Sequence, residues 1–222
     1  MPAIALLCAL TLAGSLLVFH MTATAKDARH CARFAKAATE RAAADVGAGA
    51  PVVVIGDSYS VGLGLDRPAA SWPSRLEGRV HVAGFSGSGF STGASGCGLV
   101  SFADRADEAV DAVAGGAELV VVEGGLNDFD QPAAEITAGF QRLMRVLDGQ
   151  RVVVVGPVTA PSRARAVPRL DRLLARLAAA SDAAYVRTSG LDLDFLDDRL
   201  HLTEAGHRAF GDHVARRIAR LG

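Results

Sequence analysis

From Pro51 onward the chain alternates two kinds of apolar pattern. PVVVIG (Pro51–Gly56), RVHVAG (Arg79–Gly84), AELVVVEGG (Ala117–Gly125) and RVVVVGP (Arg151–Pro157) are short, β-branched runs closed by Gly or Pro, and AAYVRT (Ala183–Thr188) is a weaker fifth. Such runs suit strands covered on both faces. Between them, FADRADEAVDAVAGG, PAAEITAGFQRLMRVLDG and VPRLDRLLARLAAA place apolar residues three and four apart, and TEAGHRAFGDHVARRIARL closes the chain in the same way. That spacing is the helical period. Alternating strands and helices predict a five-stranded parallel sheet with helices on both faces, a three-layer α/β/α sandwich. Right-handed crossovers reduce the topologies to a flavodoxin-like order. Ligands in such sheets bind beyond the carboxyl ends of the strands. The turn Gly56-Asp57-Ser58 lies at that edge.

The first 50 residues follow other rules. AIALLCALTLAGSLLVF (Ala3–Phe19) is an unbroken apolar run, and Ala23–Ala25 offers small residues at signal-peptidase spacing. Residues 1–25 are therefore expected to be a signal peptide or an N-terminal membrane anchor. No Lys or Arg precedes the run, whereas Lys26, Arg29, Arg33 and Lys36 follow it. The positive-inside rule would hold that downstream side in the cytoplasm. Export to the cell envelope or beyond is the favoured reading. An uncleaved anchor through residues 3–19 stays open as a variant. Residues 26–50 read as a short helix and a GAGAP linker, and 51–222 as one domain.

Composition narrows the partners. The chain has 222 residues, 50% of them hydrophobic, which is enough to bury the core of one domain. Its net charge of −1 does not recommend nucleic acid. Aromatic side chains are scarce and Trp72 is the one tryptophan, so platforms for stacking bases or long glycans are not expected. Trp72 and Phe90 read as core packing ahead of pocket lining. Cys8 would leave with a signal peptide. The remaining pair, Cys31 and Cys97, suits a disulfide in an oxidising compartment.

Four short blocks carry candidate chemistry. Ser58 follows a strand-ending Gly-Asp, a position that serves a helix N-cap or a nucleophile. A phosphate loop is disfavoured, because GDSYSVGLG has neither the P-loop Lys nor the GxGxxG spacing. In DDRLHLTEAGH (Asp197–His207), Asp198 and His201 stand three apart just before the last helix. A partner on one imidazole nitrogen leaves the other able to take a proton. In EGGLNDF (Glu123–Phe129), Asn127 follows a glycine-rich strand end, where its amide is able to face an oxyanion. In AGFSGSGF (Ala83–Phe90) the glycines permit a bare backbone N–H to face a ligand. His201, His207 and His213 are spaced by six, which scatters His207 and His213 over different helix faces. HExxH is absent, so metal hydrolysis is disfavoured.

GDSYS after the first strand, glycines after the second, GLND after the third and DRLH before the last helix, in that order, resemble the SGNH (GDSL-type) hydrolase family, and in particular its exported bacterial members. The resemblance covers Pro51 to Gly222. It implies the SGNH hydrolase fold and ester hydrolysis through an acyl-enzyme, with no metal or organic cofactor. Carried over by position, Ser58 is the nucleophile, His201 the general base and Asp198 its orienting acid. The oxyanion hole then comprises the Ser58 N–H, a glycine N–H and Asn127. Gly87 is the chosen glycine, with Gly84 the alternative. Val82 stands where the family usually has an Asn shortly before that glycine. The expected substrate is a small-molecule, lipid or glycan ester. Short loops between the blocks suggest an open cleft and short acyl chains. Two alternatives share these residues: an acyltransferase using the same acyl-enzyme, and a non-catalytic binding module.

Overall fold

The structure is a computed structural model that describes residues 27–221. The apolar run, the signal-peptidase spacing and Cys8 lie outside the described residues. A helix over 27–42 (α1) precedes β1 (Val46–Ala48), β2 (Pro51–Gly56), the single turn α2 (Ser58–Val61) and β3 (Gly78–Gly84). Then come α3 (Phe102–Asp111), β4 (Leu119–Glu123), α4 (Ala133–Val146), β5 (Val152–Val155), α5 (Val167–Ala180), β6 (Ala184–Val186) and α6 (Glu204–Ile218).

The sheet order is β1-β3-β2-β4-β5-β6, and every pair from β3 to β6 is parallel. Without β1 this is the flavodoxin-like order that the crossovers predict. The expectation of five strands needs correction to six. β1 pairs antiparallel with β3, Val46 opposite Val80 and Ala48 opposite Gly78. It lies in the stretch read as a linker, because VGA has no β-branched run of its own. Its extended form comes from its partner. Gly47 adopts φ +78°, and a Cβ there would lie 2.3 Å from the Gly78 carbonyl oxygen. The GAGAP stretch is thus glycine-rich because two backbones approach closely.

Strand alternation sorts the core into two layers. Val53, Ile55, Val120, Val122 and Val154 face α3, α4 and α5, meeting Phe102, Ile136, Phe140, Leu143, Leu170 and Leu174. Val52, Val54, Val80, Val82, Val121 and Val155 face the opposite side, where Tyr59, Trp72, Phe210 and Val214 cover them. Both faces are dry, which is why the strands read as continuous apolar runs. Phe90 and Trp72 are fully buried, in agreement with core packing. Helix starts are locally encoded as well. Ser101 and Asp104 form a capping box for α3, and the Thr203 hydroxyl accepts the Gly206 N–H at the start of α6. Among the described residues no helix is long and apolar enough to cross a membrane.

Candidate active site

The carboxyl edge of the sheet gathers the four blocks. At the end of β2 the chain turns through Asp57 into α2, whose first residue is Ser58. Asp57 is the N-cap of this turn, and its Oδ1 accepts the Tyr59 N–H at 2.9 Å. Ser58 is therefore the first residue inside the turn and not its cap. Gly56 permits the geometry, since a Cβ there would lie 2.0 Å from Ser60 Oγ. Ser58 is nearly buried.

The second arm is a tight turn ahead of α6. Leu196 N–H donates to the His201 carbonyl at 2.7 Å, and Arg199 N–H to that of Leu196 at 2.8 Å. Asp198 Oδ1 accepts the N–H groups of Leu200 and His201, each at 2.9 Å. Its Oδ2 lies 2.5 Å from His201 Nδ1, and His201 Nε2 lies 3.2 Å from Ser58 Oγ. With Nδ1–H given to the carboxylate, Nε2 is the acceptor for the serine hydroxyl. Tyr59 donates its hydroxyl to the Leu200 carbonyl, which ties the serine turn to the histidine turn. Burial pushes the Asp198 carboxyl upward, but hydrogen bonds from the His201 ring and from the backbone N–H groups of His201 and Leu200 prevail and hold it below its ordinary value. It is ionised at neutral pH.

The third arm supplies hydrogen-bond donors. After β4, Gly124 and Gly125 take φ +152° and +112° and turn the chain into a short 3-10 helix, Leu126–Asp128. Asn127 Nδ2 donates to the Ser88 carbonyl at 2.9 Å and to Asp57 Oδ2 at 3.2 Å. Asp128 is buried and accepts the N–H groups of Phe90 at 3.0 Å and Ser91 at 2.8 Å. Burial pushes its carboxyl up to about 6, against the pull of those two bonds. Gly87, at φ +83°, sits in the loop held this way. Neither the Gly87 N–H nor the Ser58 N–H meets an acceptor among the described residues. Gly84, by contrast, is the last residue of β3. A Cβ on it would lie 2.8 Å from Val61 Cγ2, so it serves close packing against α2.

Ser58, His201, Asp198 and Asn127 thus converge, with Gly87 in the neighbouring loop. Cys31 and Cys97 are joined in a disulfide with Cα atoms 5.4 Å apart. His207 and His213 stand apart from the triad. His207 is buried beside Tyr59, ring centroids 5.8 Å apart, and burial pushes it down to about 4. His213 Nε2 lies 3.3 Å from the Arg187 carbonyl.

Sequence reasoning missed the supports beneath the site. Asp57 links Asn127 to the serine turn. Its carboxyl is pushed up to about 6 by burial, which outweighs the Tyr59 N–H and the positive field of His201. Arg105 donates to the carbonyls of Ala83, Gly56 and Val100 and to Ser88 Oγ, and burial pulls it down to about 10. Ser60 donates to Glu123 Oε2 at 2.7 Å and accepts the Trp72 indole N–H at 3.1 Å. Burial, then the charge of Asp57, push Glu123 well above its ordinary value. Asp57 and Glu123 did carry a signal, since Glu123 ends an otherwise apolar strand and Asp57 directly follows one. Arg105 carried none, lying in an ordinary amphipathic helix.

Residues 54–209 match the model of the GDSL-like lipase/acylhydrolase family. Solved structures similar to the chain include a carbohydrate acetylesterase from Sinorhizobium meliloti, with TM-score 0.63 and 19% identity over 78% of this chain and 100% of that one. The inhibitor-bound aryl esterase of M. smegmatis gives 0.63 and 18% over 78% and 100%. A psychrotrophic esterase from Pseudoalteromonas gives 0.64 and 14% over 78% and 98%. At these identities the likeness is one of fold. No curated protein sequence matches the chain.

Proposed function

The chain belongs to the GDSL-like lipase/acylhydrolase family and is an ester hydrolase, and from that premise we propose that it cleaves short-chain carboxylic esters through an acyl-enzyme on Ser58. The observation that carries this reading is the line Asp198–His201–Ser58, which joins residues 143 positions apart at 2.5 and 3.2 Å. Ser58 Oγ attacks the ester carbonyl carbon as its proton passes to His201 Nε2. Asp198 stabilises the resulting imidazolium. The oxyanion is met by the Ser58 N–H, the Gly87 N–H and Asn127 Nδ2. Both Asn127 N–H groups are engaged before substrate arrives, and the longer bond, to Asp57, is the one the oxyanion replaces. His201 then protonates the departing alkoxide. Water repeats the sequence on the acyl-enzyme: its proton goes to His201, its oxygen to the carbonyl, and Ser58 leaves with the proton returned.

One consideration favours small acyl groups: the similar structures include a carbohydrate acetylesterase and an aryl esterase. The Cys31–Cys97 bond and the apolar run at Ala3–Phe19 support an exported protein. A fluorophosphonate probe tests the central reading. One label per wild-type chain and none on Ser58→Ala is the expected result; an unlabelled wild type, or labelling that survives Ser58→Ala, overturns it. Across p-nitrophenyl esters, kcat/KM should peak at acetate or butyrate. A peak at long chains would refute the short-acyl assignment.

A further inference from the structure

We propose that α1 is a positioning element of the active site: clamped by the Cys31–Cys97 disulfide, it holds the Gly87 loop through Phe34. The inference rests on the reading of Gly87 as an oxyanion donor. The helix at 27–42 lies wholly before the residues that match the family, which begin at 54, so it is an addition to the hydrolase core.

The loop after β3 is pinned by hydrogen bonds on both sides of Ser86 and Gly87; the buried Ser86 hydroxyl has no partner among the described residues. Ser88 N–H donates to the Phe85 carbonyl, Arg105 donates to Ser88 Oγ, and Asp128 accepts from Phe90 and Ser91. Gly87 makes no hydrogen bond among the described residues, and glycine in a left-handed conformation has the least intrinsic stiffness. Its neighbours are Phe34 and Ser95: a Cβ built at Gly87 would stand 3.7 Å from Phe34 Cε2 and 4.0 Å from Ser95 Oγ. The Phe34 ring also meets Phe85 edge to face, centroids 6.2 Å apart. Ser95 Oγ in turn accepts the Cys97 N–H at 3.2 Å. Phe34 on α1 and the Ser95–Cys97 turn therefore both border Gly87, and the Cys31–Cys97 disulfide ties the one to the other.

The stretch of α1 between Phe34 and the buried Arg41 meets the sheet with small side chains. Ala35, Ala38 and Ala42 line a groove of about 370 Å³ against Ala83, Phe85 and Ala109. Alanines along an open groove provide few dispersion contacts. The Cys31–Cys97 bond reinforces that seam.

The test measures kcat for p-nitrophenyl acetate per active site, with sites counted by fluorophosphonate labelling taken to completion. Phe34→Ala and the double variant Cys31→Ser/Cys97→Ser should each lose about tenfold or more in kcat, with KM within about threefold, because a displaced oxyanion donor acts on the transition state. Phe34→Leu should recover most of that loss. A purely structural helix would lower the number of titratable sites and leave turnover per site untouched, and that result overturns the proposal. Should the cysteine variant fail to fold, the Phe34→Ala and Phe34→Leu pair decides. Ser58→Ala keeps the two readings apart. Persistent hydrolysis in it refutes the nucleophile, whereas a dead Ser58→Ala beside a fully active Phe34→Ala refutes the clamp alone.

Discussion

Asp198 presents 48% of its side chain to solvent, while His201 presents 16%. Water weakens charge–charge attraction at such a position. The carboxylate is nonetheless fixed by two backbone N–H groups and the imidazole, so its role is chiefly orientation. Asp198→Asn should therefore lower kcat/KM by about ten- to a thousandfold, less than the ~10⁴ found where the orienting acid is deeply buried. Ser58→Ala and His201→Ala should fall to background on the same ester. A folded Asp198→Asn as inactive as Ser58→Ala would make the carboxylate indispensable and reverse the ranking. At this scale the sequence was legible where a residue type is chemically rare in its setting. A His three residues after an Asp, or an Asn after paired glycines, has few roles at a strand edge. Arg105 and the double use of Asp57 were not legible, because their partners are backbone carbonyls and side chains brought in from distant elements.

The elements obeyed their own patterns. Each β-branched run became a strand and each three-and-four spaced run became a helix, because both faces of the sheet are covered and burial agrees with local preference. The exception, β1, has three residues and draws its form from β3, so nothing in its own composition marks it. The short turn α2 is a different case, since it is specified by sterics. Gly56→Ala would push a methyl into Ser60 and tilt the turn that presents Ser58. The expected outcome is a loss of about 1–3 kcal/mol in stability together with at least a tenfold loss in kcat/KM, measured by urea denaturation and ester turnover. Unchanged turnover in Gly56→Ala would mean that the turn absorbs the methyl without moving the nucleophile.

Across the whole molecule, buried ionisable groups set the response to acid. His207 is held at about 4, below its ordinary 6.5, so the folded protein resists taking a proton that the unfolded chain accepts. Its contribution is intact above pH 6.5 and is lost as pH falls from 6.5 toward 4, by about 3 kcal/mol in full. Asp57 and Asp128 act in the opposite sense. Their folded values of about 6 lie above the ordinary 3.8, so they favour the folded state as pH falls through that interval. The wild-type curve is a composite, and the informative quantity is a difference. His207→Phe keeps a ring against Tyr59 and removes the titration. The Tm of His207→Phe should gain on wild type by about 5–10 °C between pH 7.5 and 4.5. A gap that does not change with pH would show that His207 is not held neutral by burial.

The hydrogen bond from Trp72 to Ser60 gives the molecule an optical handle. Trp72 is the chain's sole tryptophan, is fully buried, and touches a residue on the same helical turn as Ser58. Its emission therefore reports one place only. In the native protein it should be blue-shifted, and on unfolding it should move to the red in one step. Any shift of the α2 turn that accompanies acylation of Ser58 passes through Ser60 to the indole, next to the Glu123 carboxyl. Stopped-flow fluorescence during reaction with a slow-turnover ester is thus able to follow the acyl-enzyme without a label.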